Sequence, residues 1–87
     1  MRVAWVRSAL REVAHIHDYL SDFNPEAARR VAQALVDAAD SLSSLPYRGR
    51  PVDGGMRELL TVYPYIIRYE LLPDLVRILR VRHGMQR

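Results

Sequence analysis

The sequence predicts an α+β domain of order β-αα-βββ, a two-layer fold with a helical hairpin packed on a mainly antiparallel four-stranded sheet. Three observations carry that expectation. Residues 65–83, YIIRYELLPDLVRILRVRH, form two arms rich in β-branched and aromatic residues around the turn chemistry of Pro73-Asp74. Asn24-Pro25-Glu26 separates two stretches with apolar residues at helical spacing. A short apolar run, RVAWV at residues 2–6, precedes the first of those stretches.

In chain order, residues 2–6 read as a first strand and Ser8 as the N-cap of the helix that follows. Leu10, Val13, Ile16, His17, Leu20 and Phe23 recur along that helix, which runs to about Asp22. Asn24 then caps, Pro25 is preorganised for a first helical turn, and Glu26 meets the positive end of the dipole. Ala28, Val31, Leu35, Ala38, Leu42 and Leu45 make one stripe that ends before Pro46, and its small residues permit close approach of another helix. Two helices joined by a short Asn-Pro link form an αα-hairpin. Residues 47–55, YRGRPVDGG, read as a loop, with two prolines bounding or interrupting the stretch from 46 onward and three glycines within it.

Residues 56–62 read as a strand joined at Tyr63-Pro64 to the final hairpin. Centring that hairpin on Pro73-Asp74 sets 70 against 77, 69 against 78 and 67 against 80. Tyr65, Ile67, Tyr69, Leu71, Val76 and Ile78 then face the core, a face that ends in Arg80 and Arg82. Ile66, Arg68, Glu70, Arg77, Leu79 and Val81 share the other face, with Glu70 opposite Arg77. If the 63–64 turn is also tight, Arg57 joins them as a row Arg57–Glu70–Arg77. Nothing in the chain suggests a repeat or a domain boundary, so residues 1–87 read as a single domain.

There is no cysteine, which excludes a disulfide framework and thiolate metal sites. No apolar run has signal-peptide or membrane-span length, so a cytoplasmic protein away from any membrane is expected. All 13 basic residues are arginine. Three arginines face six acidic residues between Ser8 and Pro46, whereas eight face four from Tyr47 onward. Base composition is a sufficient reason for arginine replacing lysine, but not for this segregation, which suits a polyanion or an acidic protein partner.

His15 and His17 stand two apart on a helix and point in different directions, so they cannot share a metal. His17, on the apolar stripe, reads as a half-buried histidine rather than a ligand. No nucleotide or zinc motif is present, and no metal or cofactor is expected. His83 follows the last strand among Arg80 and Arg82, with Arg57 or Arg68 as further candidates to join them. A histidine titrating near neutrality with arginines beside it is a workable set for metal-free RNA cleavage. The residues by themselves favour the plainer reading of a histidine in a solvated or partner-facing tail. Ile66, Leu79 and Val81, grouped beside Arg68, suggest a protein partner carrying acidic and apolar residues.

Several motifs occur in order. Asn24-Pro25-x-Ala27-Ala28 is followed by Pro46-x-x-Gly49-Arg50-Pro51 and Arg57-Glu58-Leu59. Tyr63-Pro64-Tyr65-x-Ile67-x-Tyr69 and Ile78-Leu79-Arg80-Val81-x-His83-Gly84-x-Gln86 complete the set. Together they resemble the RelE/ParE superfamily of toxins from type II toxin–antitoxin modules, most closely the ParE branch, over nearly the whole chain. The resemblance implies a RelE/ParE-like fold and a small toxin held in a hetero-oligomer by a ParD-like antitoxin that wraps the helices and sheet. It implies DNA gyrase as target and a binding protein rather than an enzyme in the ParE branch. The RelE branch implies ribosome-dependent cleavage of mRNA, with Arg57, Arg68 and His83 as the candidate set. The absence of lysine, and Gly84 where an aromatic residue often follows the histidine, depart from the ribonuclease pattern and favour ParE. Antitoxin contact is expected on the outer surface of the helical hairpin and around Ile66, Arg68, Leu79, Arg80, Val81 and Arg82.

Overall fold

A computed structural model describes residues 1–84 of the chain; Gln86, the last residue of the resemblance above, lies outside them. The elements are β1 (Arg2–Trp5), α1 (Arg7–Ser21), α2 (Pro25–Asp40), a 3-10 turn at Ser41–Ser43, β2 (Arg50–Val52), β3 (Met56–Leu59), β4 (Tyr65–Leu72) and β5 (Leu75–His83). A second 3-10 turn, Asp53–Gly55, joins β2 to β3. The strands form one sheet in the order β1-β5-β4-β3-β2. β1 runs parallel to β5 and every other pairing is antiparallel. The α+β class and helix-on-sheet layering are as expected, but the sheet has five strands rather than four.

The additional strand, β2, lies inside the stretch read as loop. Pro51 has no N–H to donate, which an edge strand tolerates, and the three-residue pairing is too short for a period to stand out among prolines and glycines. The start of α1 also differs from expectation. Val6, still extended, occupies the cap position with no side-chain bond, and Ser8 lies within the helix. Val6 is fixed by tertiary structure: its N–H donates to Ile78 O at 3.0 Å and its carbonyl accepts from Ala9 and Leu10. By contrast Asn24 caps α2 as its chemistry requires, its side-chain oxygen accepting from the N–H groups of Glu26 and Ala27 at 3.1 Å each.

Ala9 of α1 and Ala28, Leu35, Ala38 and Ala39 of α2 are buried, so small side chains bring the two helices together over the sheet. Leu35 and Leu42 join Leu59, Tyr65, Ile67, Tyr69, Val76, Ile78 and Val81 in one core, with Val13 and Ile16 packed against it. Leu10, Phe23 and Leu45, assigned to apolar stripes above, are exposed instead.

Two register corrections decide which side chains meet. The β4–β5 pairing follows expectation from the turn as far as Tyr69↔Ile78, then shifts, so that Arg68 pairs with Arg80 and Ile67 with Val81, not with Arg80. Leu79 is the extra residue of a β-bulge. Beyond it the faces exchange: Val81 enters the core at 1% exposure, while Arg80 and Arg82 leave the core face. In β3–β4 the connection 60–64 is longer than a tight turn, and Arg57 pairs with Tyr69, leaving Met56 opposite Glu70. The row Arg57–Glu70–Arg77 therefore does not form. Glu70 and Arg77 do pair at 3.1 Å. Met56 takes the place expected for Arg57; on the same outer face, opposite Arg68, stands Glu58, 5% exposed. Its Oε2 accepts from Arg68 Nε at 3.0 Å and Nη2 at 2.6 Å, with Arg50 at 3.6 Å from Oε1.

Tyr69 joins the sheet to the segment leaving α2. Its buried hydroxyl donates to Pro46 O at 2.7 Å and accepts from Gly49 N–H at 2.9 Å. Gly49 is required there, because a Cβ would lie 2.7 Å from the Tyr69 ring and 2.9 Å from Glu58 O.

Removing one partner of the Glu58–Arg68 pair leaves a buried charge poorly compensated. Arg68→Ala should cost about 2–3 kcal/mol in urea unfolding, below the range for a fully buried pair because Arg68 remains partly exposed. Replacing both residues with leucine should cost much less than that single change. Burial pushes the Tyr69 hydroxyl above its ordinary value of 10.0, an effect partly offset by the Gly49 hydrogen bond and Arg57. Burial, with Tyr19 nearby, does the same to Tyr65. The folded state then holds these protons when the unfolded chain has begun to lose them. The contribution of these two hydroxyls to stability is therefore full below about pH 10 and is lost as pH rises from there through the folded-state values, which urea melts across that range should record.

Candidate functional site

The bulge and the shortness of β1 leave an open groove beside the end of β5. β1 pairs with Leu75–Ile78 only, after which the chain turns at Val6 into α1. The remainder of β5 therefore runs beside α1 instead of beside a strand. Glu12 stands in for the missing strand: its Oε1 accepts from Val81 N–H at 2.8 Å and its Oε2 from Arg80 Nε at 3.0 Å. Between the helix and this strand end lies an open groove of about 970 Å³. Ile16, Leu20, Pro64, Tyr65 and Val81 contribute apolar surface, and Arg11, His15, Arg80, Arg82 and His83 contribute basic groups. Tyr19 lines it as well, stacking edge-on against the exposed Phe23 with ring centres 5.3 Å apart.

Such a groove suits a segment with apolar side chains to bury and carboxylates to set against arginines. Among the described residues no group of three or more His, Cys, Asp or Glu is placed to hold a metal ion. Also among them, no helix is long and apolar enough to cross a membrane.

Of the residues nominated from sequence, Arg80, Val81, Arg82 and His83 come together in the groove. Arg68 lies on the outer face with Glu58, and Leu79 is at the bulge. Ile66 is 9% exposed, close to the turn at Gly84, where a Cβ would lie 3.3 Å from Ile66 Cδ1. The apolar patch of Ile66, Leu79 and Val81 is therefore not a single surface, because the bulge carries Val81 into the core.

The candidate ribonuclease residues do not converge. His83 pairs with Tyr65 and packs edge-on against its ring, centres 5.6 Å apart. Arg57 pairs with Tyr69, four residues along β4 and one strand further across the sheet. At ordinary strand spacings that places their backbones about 13 Å apart along the sheet and about 10 Å across it. Arg57 is also engaged: its Nη1 donates to Gly49 O at 2.6 Å and Tyr47 O at 3.4 Å.

The α1 side of the groove was not nominated from sequence. Its signal is present: Arg11, His15 and Tyr19, and beside them Glu12, Ile16 and Leu20, are two rows at four-residue spacing on one helical surface. Only the fold shows that this surface meets the end of β5.

Glu12→Ala should remove the acceptor of Val81 N–H and raise the exchange rate of that amide, destabilising the fold by about 1 kcal/mol. Glu12→Gln keeps an acceptor and should retain most of the protection, as hydrogen-exchange NMR will show.

Comparison with known proteins accords with this geometry. Residues 3–87 match the family described as the ParE toxin of the type II toxin–antitoxin system, parDE. Among curated relatives, Toxin RelE2 of Caulobacter vibrioides is 46% identical, the match covering 95% of this chain and 94% of the relative. Toxin RelE1 of the same organism is 36% identical over 90% of this chain and 87% of its own. A solved structure described as a chromosomal ParDE TA system from P. aeruginosa superposes with a TM-score of 0.84 at 25% identity, covering 95% of each chain. With the family match spanning nearly the whole chain and the fold superposing over 95% of it, the chain belongs to the ParE toxins of the RelE/ParE superfamily, in type II toxin–antitoxin systems.

Proposed function

We propose that this toxin acts by binding and inhibiting DNA gyrase, and that a ParD-like antitoxin neutralises it by occupying the groove between α1 and the end of β5. The observation that carries the first half is the dispersal of the candidate cleavage set. Arg57 serves a loop, Arg68 serves a buried glutamate, and His83 sits at the far end of the sheet from Arg57. General acid–base catalysis requires the groups to reach one phosphate together, and these do not. The antitoxin assignment is supported by the ParDE likeness and by the basic, partly apolar groove.

A second reading is ribosome-dependent mRNA cleavage, favoured by the names of the RelE relatives and by the presence of His15, His83, Arg11, Arg80 and Arg82 in one groove. On that reading the groove, rather than Arg57 and Arg68, would hold the scissile phosphate.

Purified toxin in stoichiometric excess should abolish supercoiling of relaxed plasmid by gyrase. His83→Ala should leave both this inhibition and growth arrest within about twofold of wild type, whereas acid–base catalysis by His83 would lose about 100-fold or more in mRNA cleavage. Full supercoiling at excess toxin, with codon-phased cuts in translated mRNA, would select the second reading.

A further inference from the structure

The segment between α2 and β2 is held far more firmly than a connecting loop requires. Tyr69 Oη bridges Pro46 O and Gly49 N–H, and Arg57 Nη1 grips Gly49 O and Tyr47 O. The Arg57 guanidinium also lies 5.0 Å from the centre of the Tyr47 ring. On the α2 side, Arg48 Nη1 donates to Ser41 Oγ at 2.7 Å, and that hydroxyl donates to Ala38 O at 2.6 Å. Backbone bonds from Leu45 N–H to Ser41 O and from Arg48 N–H to Leu45 O complete the fixation.

What this frame displays is apolar. Tyr47 is 72% exposed and Leu45 59% exposed. A loop that needed only to link two elements would gain nothing by holding a tyrosine and a leucine in water. A tyrosine and arginines on a pre-ordered backbone, with a leucine adding apolar area beside them, are instead the composition of a binding hot spot, where fixing the loop beforehand removes an ordering cost from association.

Charge indicates what covers it. Among the described residues, Arg48 and Arg57 donate to neutral oxygens rather than to a carboxylate, so their charges remain available to a partner. Other arginines of this half are matched internally: Arg68 with Glu58, Arg77 with Glu70 and Arg80 with Glu12. Among the described residues, none lines both this surface and the α1–β5 groove.

We infer that the Leu45–Tyr47–Arg48 loop is a second docking surface, separate from the antitoxin groove, that engages the toxin's protein target through an apolar pocket flanked by carboxylates. This rests on the gyrase reading above. It follows that occupation of the groove and contact through the loop are separable by mutation.

The test measures binding of the full chain to purified gyrase, with Tyr47→Ala and Leu45→Ser as independent variants. Both side chains are largely exposed and Tyr47→Ala gives up only the ring contact with Arg57, so the thermal unfolding midpoint should fall by no more than about 4–8 °C and co-purification with the co-expressed antitoxin should match wild type. Gyrase affinity should fall on the order of 10- to 30-fold in each variant. Wild-type affinity in both variants would overturn the docking surface while leaving gyrase as target. Failure of the wild-type toxin to bind gyrase would remove the target reading first, and the loop inference with it. Equal binding of the wild type to a DNA duplex alone, lost in Tyr47→Ala, would assign the loop to nucleic acid and overturn the protein partner.

Discussion

The extra residue that β5 carries at Leu79 determines what the second half of the molecule presents. An antiparallel pair without it would keep Ile78, Arg80 and Arg82 on one face, and two arginines would point into the helix-covered layer. With the bulge, Val81 fills that position, Arg80 pairs across the sheet with Arg68, and His83 comes to the Tyr65 side. The places of Val81 in the core and of Arg80 outside it are thus consequences of one irregularity. Bulges commonly re-aim side chains where a strand leaves its partner, and here β5 outruns β1 at the same place.

The family motif of the middle segment has a physical explanation in the same sheet. Pro46 supplies a carbonyl to Tyr69, Gly49 makes room for its ring, and Arg57 from β3 closes the other side. Lysine at position 57 would not reproduce this. Its single ammonium lacks the planar fork that lies over an aromatic ring while donating to a carbonyl. Residues 46, 49, 57 and 69 are dispersed in sequence but form one joint, which is why each fragment of the motif is uninformative alone and the set is specific.

How much was legible in the sequence follows from the range of the forces involved. The Asn24 cap and the Glu70–Arg77 pair beside the Pro73-Asp74 turn are local, and both are found as expected. The start of α1 was misplaced at Ser8 because Val6 is held by Ile78, far along the chain. The β3 register was misplaced by one residue because the 60–64 connection is longer than the tight turn assumed, and a single step put Met56 and Glu58 on the outer face in place of Arg57. The one sign of the bulge is that an unshifted register sets Arg80 and Arg82 on the core face, which reads equally well as the end of that face, since Leu79 and Val81 are acceptable on either side of a strand. The groove inherited that error, so the β5 residues Arg80 to His83 were found while Arg11, His15 and Tyr19 were not.

The charge map needs the same revision, and it bears on mechanism. Counting arginines suggested a broadly basic half suited to a polyanion. The fold spends much of that charge internally, because Glu58, Glu70 and Glu12 each lie against an arginine. A protein that neutralised many phosphates would need a continuous positive track, and its affinity would fall steeply with salt. Here the arginines that donate only to neutral oxygens, Arg48 and Arg57, flank a displayed tyrosine and leucine instead. A few fixed charges around an apolar centre give specificity and steering toward another protein more than grip on a nucleic-acid backbone. The electrostatics and the loop geometry therefore favour the same kind of partner, and Arg57 links them to the case against cleavage, because the arginine that stands far from His83 is the one that holds this loop.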